Sequence, residues 1–494
     1  MWGISILSIA LALPWANAIT LHKRDDPAVF SLPIARSDRP EPLQKRSSKV
    51  ASTALYNVQN MYYMVNITVG TPPQNVSLSL DTGSSDIWVN TPNSTYCEGD
   101  DDPCSSTGVF NLKDSSTFKM LDYEMNATYV SGFLAAGHYA TDTLVIGDAK
   151  VKDMEFAVAE QSLNPHGILG IGYAANTDAA THFGKEYANL PEALVKSGAI
   201  KSTAYSLWLN KFDGTGNLLF GGVNKARYQG ELQTVPIIPI YEKYYSLSIA
   251  LTDISVKTTK GSKEFATGLP LAVTLDNGSP FIVLPKEVVD PIYKEIGGGY
   301  SSTVGGAYAP CDMYTADYNV TFSFSGAKVT IPISRLVWEN TSYDGFPKDT
   351  CLFGIVYGEP GVSLMGDTFL RSAYVVYDLA NNEISLANTN YDGGDDDIHE
   401  IGTGTDAVPG ATLMPSAVTS ATGLDPSATV ASSGSSGSEP TGTTVYVTDT
   451  STATGAANSG SASSTSSQGM AALPTSNPNH LLPGLLGAGL LLAL

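Results

Sequence analysis

Two aspartates are set apart by the residues around them. Asp81 lies in Leu80-Asp81-Thr82-Gly83-Ser84-Ser85-Asp86, after the alternating stretch Val76-Ser77-Leu78-Ser79-Leu80 and before the apolar Ile87-Trp88-Val89. Far downstream the pattern returns in Val273-Thr274-Leu275-Asp276-Asn277-Gly278-Ser279-Pro280, which runs out into Phe281-Ile282-Val283-Leu284. A carboxylate in a tight polar turn at the end of a strand is held in place, and two such turns can each deliver one carboxylate to a shared site. Two carboxylates brought close together cannot both ionise cheaply, so they share a proton and titrate as a unit. Such a pair is an acid and a base side by side. The base takes a proton from a water lying between them, the water attacks a carbonyl carbon, and the other carboxyl protonates the developing oxyanion. This chemistry needs no metal, no cofactor and no covalent intermediate.

The neighbours fit that task. Gly83 and Gly278 let backbone amides approach the carboxylates. Ser84 and Ser279 bring hydroxyls to their outer oxygens, and Thr82 can hydrogen-bond across to the other turn, a role Asn277 can fill with its amide. A lone Asp-Thr-Gly is a common surface turn; two copies, each after an apolar strand, are specific. A second echo follows each turn: Gly167-Ile168-Leu169-Gly170-Ile171-Gly172 and Ser363-Leu364-Met365-Gly366-Asp367-Thr368 each place a glycine after two apolar residues. The two halves therefore share an order of parts.

The elements that must hold these turns are short strands. From Tyr62 to Asn388, period-two alternation recurs between Gly, Pro and Asn punctuation, as in Met64-Val65-Asn66-Ile67-Thr68-Val69. Helical patterns are sparse, with 191–197 and 285–296 as the candidates. The expected fold is mainly antiparallel β.

The ends of the 494-residue chain differ from its middle. Residues 1–18 hold an apolar run followed by Ala16-Asn17-Ala18, the pattern of a secretory signal peptide. Residues 19–46 are rich in proline and charge, carry the dibasic pairs Lys23-Arg24 and Lys45-Arg46, and are expected to be a propeptide whose basic residues face a carboxylate-lined cleft. Lobes are expected at 47–235 and 236–391. From 392 to 467 an acidic run passes into Ser, Thr, Gly and Ala, too polar to offset its ordering entropy, and a disordered, O-glycosylated stalk is expected. Residues 468–494 end in an uncharged apolar tail behind a polar spacer, which fits a glycolipid-anchor signal with Ser467 as the attachment residue. A transmembrane tail is the rival, and the tail is short for it.

Secretion agrees with an even number of cysteines, Cys97, Cys104, Cys311 and Cys351. Of three pairings, Cys97 with Cys104 and Cys311 with Cys351 keeps each bridge in its own half; a zinc site fits neither spacing. Glycosylation sequons stand at Asn66, Asn75, Asn93, Asn126, Asn319 and Asn340, and another at Asn277 inside the second aspartate turn is expected to stay unmodified. A net charge of −21 argues against nucleic acid as a partner and suits acidic surroundings.

With these motifs the sequence resembles the pepsin-like aspartic proteases, over about residues 62–391. The resemblance is carried by 62–73, 81–89, 167–173, 216–222, 275–285 and 364–377, and the signal peptide, propeptide and anchored stalk narrow it to the fungal yapsin-like branch. It implies a bilobal β fold with the cleft between the lobes, Asp81 and Asp276 as the catalytic pair, protein or peptide substrates cut internally at acidic pH, and a monomer. It also implies a flap tyrosine over the substrate, for which Tyr129 is the best match and Tyr123 the alternative. Asn277 and Pro280 both stand where the family usually has Ser or Thr, which favours altered hydrogen bonding around Asp276. An inactive homologue serving as a cell-wall binding or structural protein is the competing reading, and a two-carboxylate glycosidase a weaker one. The acidic loop Cys97-Glu98-Gly99-Asp100-Asp101-Asp102-Pro103-Cys104 is either a solvated surface or, as the yapsin likeness suggests, an attractor of basic substrate residues.

Overall fold

The computed structural model describes residues 28–37, 62–99, 102–129, 134–211, 215–240, 242–338 and 345–424. The signal peptide, most of the propeptide with both dibasic pairs, Asp100 and Asp101, the flap tip, Asn340, Ser467 and the apolar tail lie outside them. The chain is mostly β, 46% strand against 13% helix, as the alternating pattern requires. Strand β2 (Tyr62–Val69) shows why: Tyr63, Val65, Ile67 and Val69 point into the core while Asn66 faces solvent. Strand β3 (Gln74–Asp81) is buried from Val76 onward, so it lies within the molecule and carries Asp81 at its end.

The largest sheet has fourteen strands and is built by both halves of the sequence. Its middle passes from the strands Ala373–Asp378 and Ala204–Trp208 through Thr215–Phe220 to β1 (Phe30–Ser37), β2 and β3. Beyond β3 come β8 (Gly167–Gly170), β4 (Ile87–Asn90), β7 (Ala149–Ser162), β6 (Leu134–Ile146) and β5 (Lys119–Thr128). Strand β1, from the expected propeptide, is the hydrogen-bonded link between Thr215–Phe220 and β2. Phe30, Leu32 and Ile34 are buried there, and Phe30 stacks on Phe220 at 5.0 Å.

The C-terminal half adds smaller sheets, of which the one containing Leu271–Leu275, Leu364–Met365 and Ile282–Leu284 carries Asp276. The halves are also joined by a buried polar contact: the Tyr63 hydroxyl donates to Asp367, which pairs with Arg371 at 3.2 Å. Both disulfides form within their own halves, Cys97 with Cys104 and Cys311 with Cys351.

Helices α2 (Leu190–Ser197) and α3 (Lys286–Ile296) match the sequence candidates to within a residue. Each ends on a glycine in the left-handed region, Gly198 at φ 79° and Gly297 at φ 73°, where a side chain would be strained. Helices α1 (Asp178–Phe183) and α4 (Asp367–Leu370) are too short to leave a periodic signal.

One expectation is corrected. Residues 392–424, expected at the start of a disordered stalk, fold onto the body. Ile398–Glu400 pairs with Gly222–Asn224, Ala411–Leu413 runs parallel to Tyr228–Pro236, and Thr422 bridges to Leu271. Ile401 and Val408 are buried against Val223, Tyr228, Leu232 and Tyr374. Asp396 pairs with Arg227 and Glu400 with Lys201, so acidic residues that suggested a solvated tail serve as docking points.

Candidate active site

The site forms where β3 and the strand Leu271–Leu275 end side by side. Each aspartate turn is crossed by its own echo strand. β8 runs parallel to β3, pairing Asp81 with Gly170, and Leu364–Met365 runs parallel to Leu271–Leu275, pairing Leu275 with Met365. The echo glycines are needed because backbone passes close by. A Cβ on Gly170 would sit 2.6 Å from the Asp86 carbonyl, and one on Gly366 would sit 2.3 Å from the carbonyls of Ser279 and Phe281.

Across the interface the two turns clasp each other. Thr82 donates its hydroxyl to the Leu275 carbonyl at 2.9 Å and accepts the Asn277 amide N–H at 2.9 Å. Asn277 answers with two atoms: Oδ1 accepts the Thr82 amide N–H at 2.8 Å and Nδ2 donates to the Leu80 carbonyl at 3.0 Å. The residue that departs from the usual Ser or Thr therefore makes the same pair of bonds that Thr82 makes with one hydroxyl. Asn277 is buried and fully engaged in this clasp.

Asp81 and Asp276 are both buried, and their carboxyl groups hydrogen-bond to each other. The glycines behave symmetrically. Gly83 N donates to Asp81 Oδ1 and Gly278 N to Asp276 Oδ1, both at 2.8 Å. Each also lies against the opposite carboxyl: a Cβ on Gly83 would stand 2.7 Å from Asp276 Cγ, and one on Gly278 would stand 2.8 Å from Asp81 Oδ1. Only glycine lets the two acids meet.

The hydroxyls break the symmetry. Ser84 donates to Asp81 Oδ2, whereas the Ser279 hydroxyl is buried without a hydrogen-bond partner among the described residues. Burial raises the pKa of Asp81, opposed by the Ser84 and Gly83 hydrogen bonds. Asp276 is pushed well above the carboxylate range, by burial first and by the neighbouring Asp81 charge second. Pro280 contributes its carbonyl, which accepts both the amide and the hydroxyl of Thr368 at 3.0 and 2.6 Å.

Tyr129 follows directly on β5, at the turn of the β5–β6 hairpin, and its hydroxyl accepts the Trp88 indole N–H at 2.9 Å. Trp88 lies on β4, just beyond the Asp81 turn, so the hairpin is pinned to the strand that leaves the site. Tyr123, the alternative, is half-buried elsewhere, stacked on Tyr139 at 4.6 Å under the Lys185 ammonium. The loop bridged by Cys97 and Cys104 is tied to the end of β7: the Thr95 amide N–H donates to Glu160 O at 3.0 Å and the Thr95 hydroxyl to Ser162 O at 3.0 Å. That end of β7 pairs with the start of β6, beside the hairpin turn. Of the sequons, Asn66, Asn75 and Asn93 are exposed, and Asn126 and Asn319 are half-buried.

Sequence reasoning missed Asp86, which belongs to the first turn but is buried beneath it. Its Oδ1 accepts the Tyr139 and Tyr187 hydroxyls and its Oδ2 the Asp178 amide. Its partners come from three distant segments, so only the apolar company of Ile87 and Trp88 could have hinted at burial.

The comparisons with known proteins agree with this geometry. Residues 62–389 match the family model described as eukaryotic aspartyl protease. The chain is 42% identical to a probable aspartic-type endopeptidase, opsB, of Aspergillus oryzae, over 99% of this chain and 98% of that protein. It is 34% identical to the aspartic proteinase yapsin-3 of Saccharomyces cerevisiae, over 76% of this chain and 74% of that one. With an acid protease of Saccharomycopsis fibuligera the identity is 33%, over 70% and 87%. A clasped pair of aspartate turns and a match across both halves have one common source: the chain belongs to the pepsin-like aspartic protease family and is an aspartic-type endopeptidase.

Proposed function

We propose that Asp81 and Asp276 are the catalytic pair of an acid endopeptidase that is secreted as a zymogen and displayed at the cell surface. The observation that carries this reading is the asymmetry of two hydrogen-bonded, buried carboxyls. Ser84 donates a hydroxyl to Asp81, whereas among the described residues Asp276 is met by the Gly278 amide and by no hydroxyl of its own turn. Asp81 therefore serves as the base and Asp276 holds the shared proton. Asp81 takes a proton from the attacking water as its oxygen bonds to the peptide carbonyl carbon, and Asp276 gives its proton to the carbonyl oxygen. Collapse of the tetrahedral species breaks the C–N bond, with the proton held by Asp81 passing to the leaving nitrogen and one hydroxyl proton returning to Asp276 as the carbonyl re-forms. Tyr129, held by Trp88, closes over the substrate. Because one proton must be present on the pair, activity belongs to acidic pH.

The test uses the secreted chain freed of its propeptide, acting on a denatured protein from mildly to strongly acidic pH. Cleavage blocked by a statine-type transition-state analogue and lost in Asp81→Asn and Asp276→Asn supports the assignment. Absence of inhibitable cleavage at every pH would instead favour the inactive cell-wall homologue.

Surface display rests on the signal peptide, the Ser/Thr-rich stalk now shortened to begin after the folded segment, and the glycolipid-anchor signal with Ser467. Release of the enzyme from intact cells by a phosphatidylinositol-specific phospholipase checks it; retention after treatment argues for another attachment. A preference for Lys and Arg in substrates is assigned to the acidic segment Asp100 to Asp102, which falls between Cys97 and Cys104 in the sequence. Peptide-library profiling of the triple Asp→Asn variant decides this, since an unchanged preference removes the loop from specificity.

A further inference from the structure

Behind the flap hairpin lies a buried polar cluster that the reaction chemistry does not use. Asp86 sits five residues after Asp81 in the same turn and is 1% exposed. Its Oδ1 accepts the hydroxyl of Tyr139, on β6, at 2.7 Å and that of Tyr187 at 2.7 Å, and its Oδ2 accepts the amide of Asp178, at the start of α1, at 2.7 Å. Asp178, also 1% exposed, continues the chain of contacts to the other flap strand: its Oδ2 accepts the amide N–H of Asn126, on β5, at 3.1 Å. Its Oδ1 pairs with His182 at 3.0 Å. The Tyr139 hydroxyl, while donating to Asp86, accepts the Ala179 amide at 3.1 Å. Both strands of the hairpin that ends in Tyr129 are therefore fastened, through two carboxylates, to the turn that carries Asp81.

We propose that Asp86 and Asp178 are positioning residues of the protease, which hold the flap hairpin at its working height over the catalytic pair. Neither touches the reacting atoms. Asp86 fixes the β6 strand through Tyr139, and Asp178 fixes the β5 strand through the Asn126 amide; Tyr129 lies between these two anchor points in the sequence. The hairpin in turn delivers Tyr129 to Trp88, whose strand begins one residue after Asp86.

The arrangement also makes the flap sensitive to pH. The charged and titratable groups facing Asp86 are Tyr139 from β6, Tyr187 from the segment before α2, and Asp178 and His182 from α1; Glu155 on β7 and Tyr129 stand further out in the same cluster. Burial, followed by the Asp178 charge, raises Asp86 to about 6, and the Asp178 carboxylate raises His182. In acid Asp86 is neutral, beside the Asp178–His182 contact. Above about 6, Asp86 gains a charge next to Asp178 and the fastening is placed under repulsion. Flap closure acts on substrate binding and the dyad on the chemical step, so the two titrations separate in the kinetics.

The experiment measures kcat and KM for one peptide substrate across this pH range, with hydrogen exchange of residues 119–146, in the secreted enzyme and in the variants Asp86→Ala and Asp86→Asn. In the wild type, KM should rise as pH passes about 6. Asp86→Ala should raise KM by about tenfold, with a smaller change in kcat, as expected when an interaction that holds substrate is lost, and should speed exchange in the hairpin alone. Asp86→Asn keeps an Oδ1 that accepts both tyrosine hydroxyls and loses only the bond from the Asp178 amide, which its Nδ2 cannot accept, so it should restore most of the hairpin's protection and keep KM flat across the range. If Asp86→Ala does not fold, the double variant Tyr139→Phe with Tyr187→Phe removes only the hydroxyls and should show the same rise in KM. Unchanged KM and hairpin exchange in the folded variants would overturn the proposal. So would equal damage in Asp86→Ala and Asp86→Asn with exchange raised evenly across the lobe, because that is the signature of core packing alone.

Discussion

Changing Asn277 to alanine and to threonine tests the clasp between the two aspartate turns. In alanine both clasp bonds of the side chain vanish, leaving the Thr82 amide and the Leu80 carbonyl without the partners they have in a buried interface. An unsatisfied buried polar group costs roughly 1–3 kcal/mol, so the two together should cost about 2–6 kcal/mol. Threonine has a single hydroxyl that can accept from the Thr82 amide and donate to Leu80, as Thr82 does in the opposite direction toward Asn277 and Leu275. Its cost should therefore stay within about 1 kcal/mol, since both groups keep a partner. Equilibrium urea denaturation at acidic pH measures the difference, with each variant placed in an Asp81→Asn background so that self-digestion does not distort the curves. In the active background, Asn277→Ala should also lower kcat more than it raises KM, because the clasp aligns the carboxyls rather than the substrate. An alanine variant within about 0.5 kcal/mol of its parent, or a threonine variant no better than alanine, would refute the reasoning, as these bonds would then carry no net stability.

Other perturbations bear on the neighbouring parts. Gly83→Ala would place a Cβ 2.7 Å from Asp276 Cγ, so one carboxyl must move; kcat should fall by about a hundredfold with a smaller change in KM, measured by steady-state kinetics. For Asp86 the folded value near 6 exceeds the ordinary 3.8, so its contribution is fully present below about 3.8 and lost as pH rises through about 6. That is about 3 kcal/mol, and denaturation between about pH 4 and about pH 7 should show the slope in the wild type and a much flatter one in Asp86→Asn. Ending the chain at Tyr391 removes the buried Ile401 and Val408 and bares Tyr228, Leu232 and Tyr374. It should cost about 3–6 kcal/mol, read as a fall in thermal midpoint relative to a chain ending at Leu424.

Much of this could be read from residue types in order. The paired turns, the glycine echoes, the alternating strands and helices α2 and α3 are local patterns, because a strand's period, a helix's stop and a turn's glycine are set by neighbours in the chain. Tyr129 could be singled out only through likeness to a family, since nothing local distinguishes it from Tyr123. Residues 392–424 misled because their composition is that of a tail. Ile401 and Val408 are two apolar side chains in a polar stretch, and they fold by using a surface that the body already offers.

The sequence by itself determined that two aspartates end matching strands and that each needs a glycine and a hydroxyl beside it. Only the tertiary structure decided that Asn277 completes the clasp that Thr82 begins, that Ser84 supports its aspartate while Ser279 does not, and that Asp86 is fastened to the flap. The physical reason is the same in each case. A hydrogen bond or a shared proton depends on atoms brought within a few ångströms from segments far apart in the chain, and residue order records what each side chain can do, not which partner it will meet.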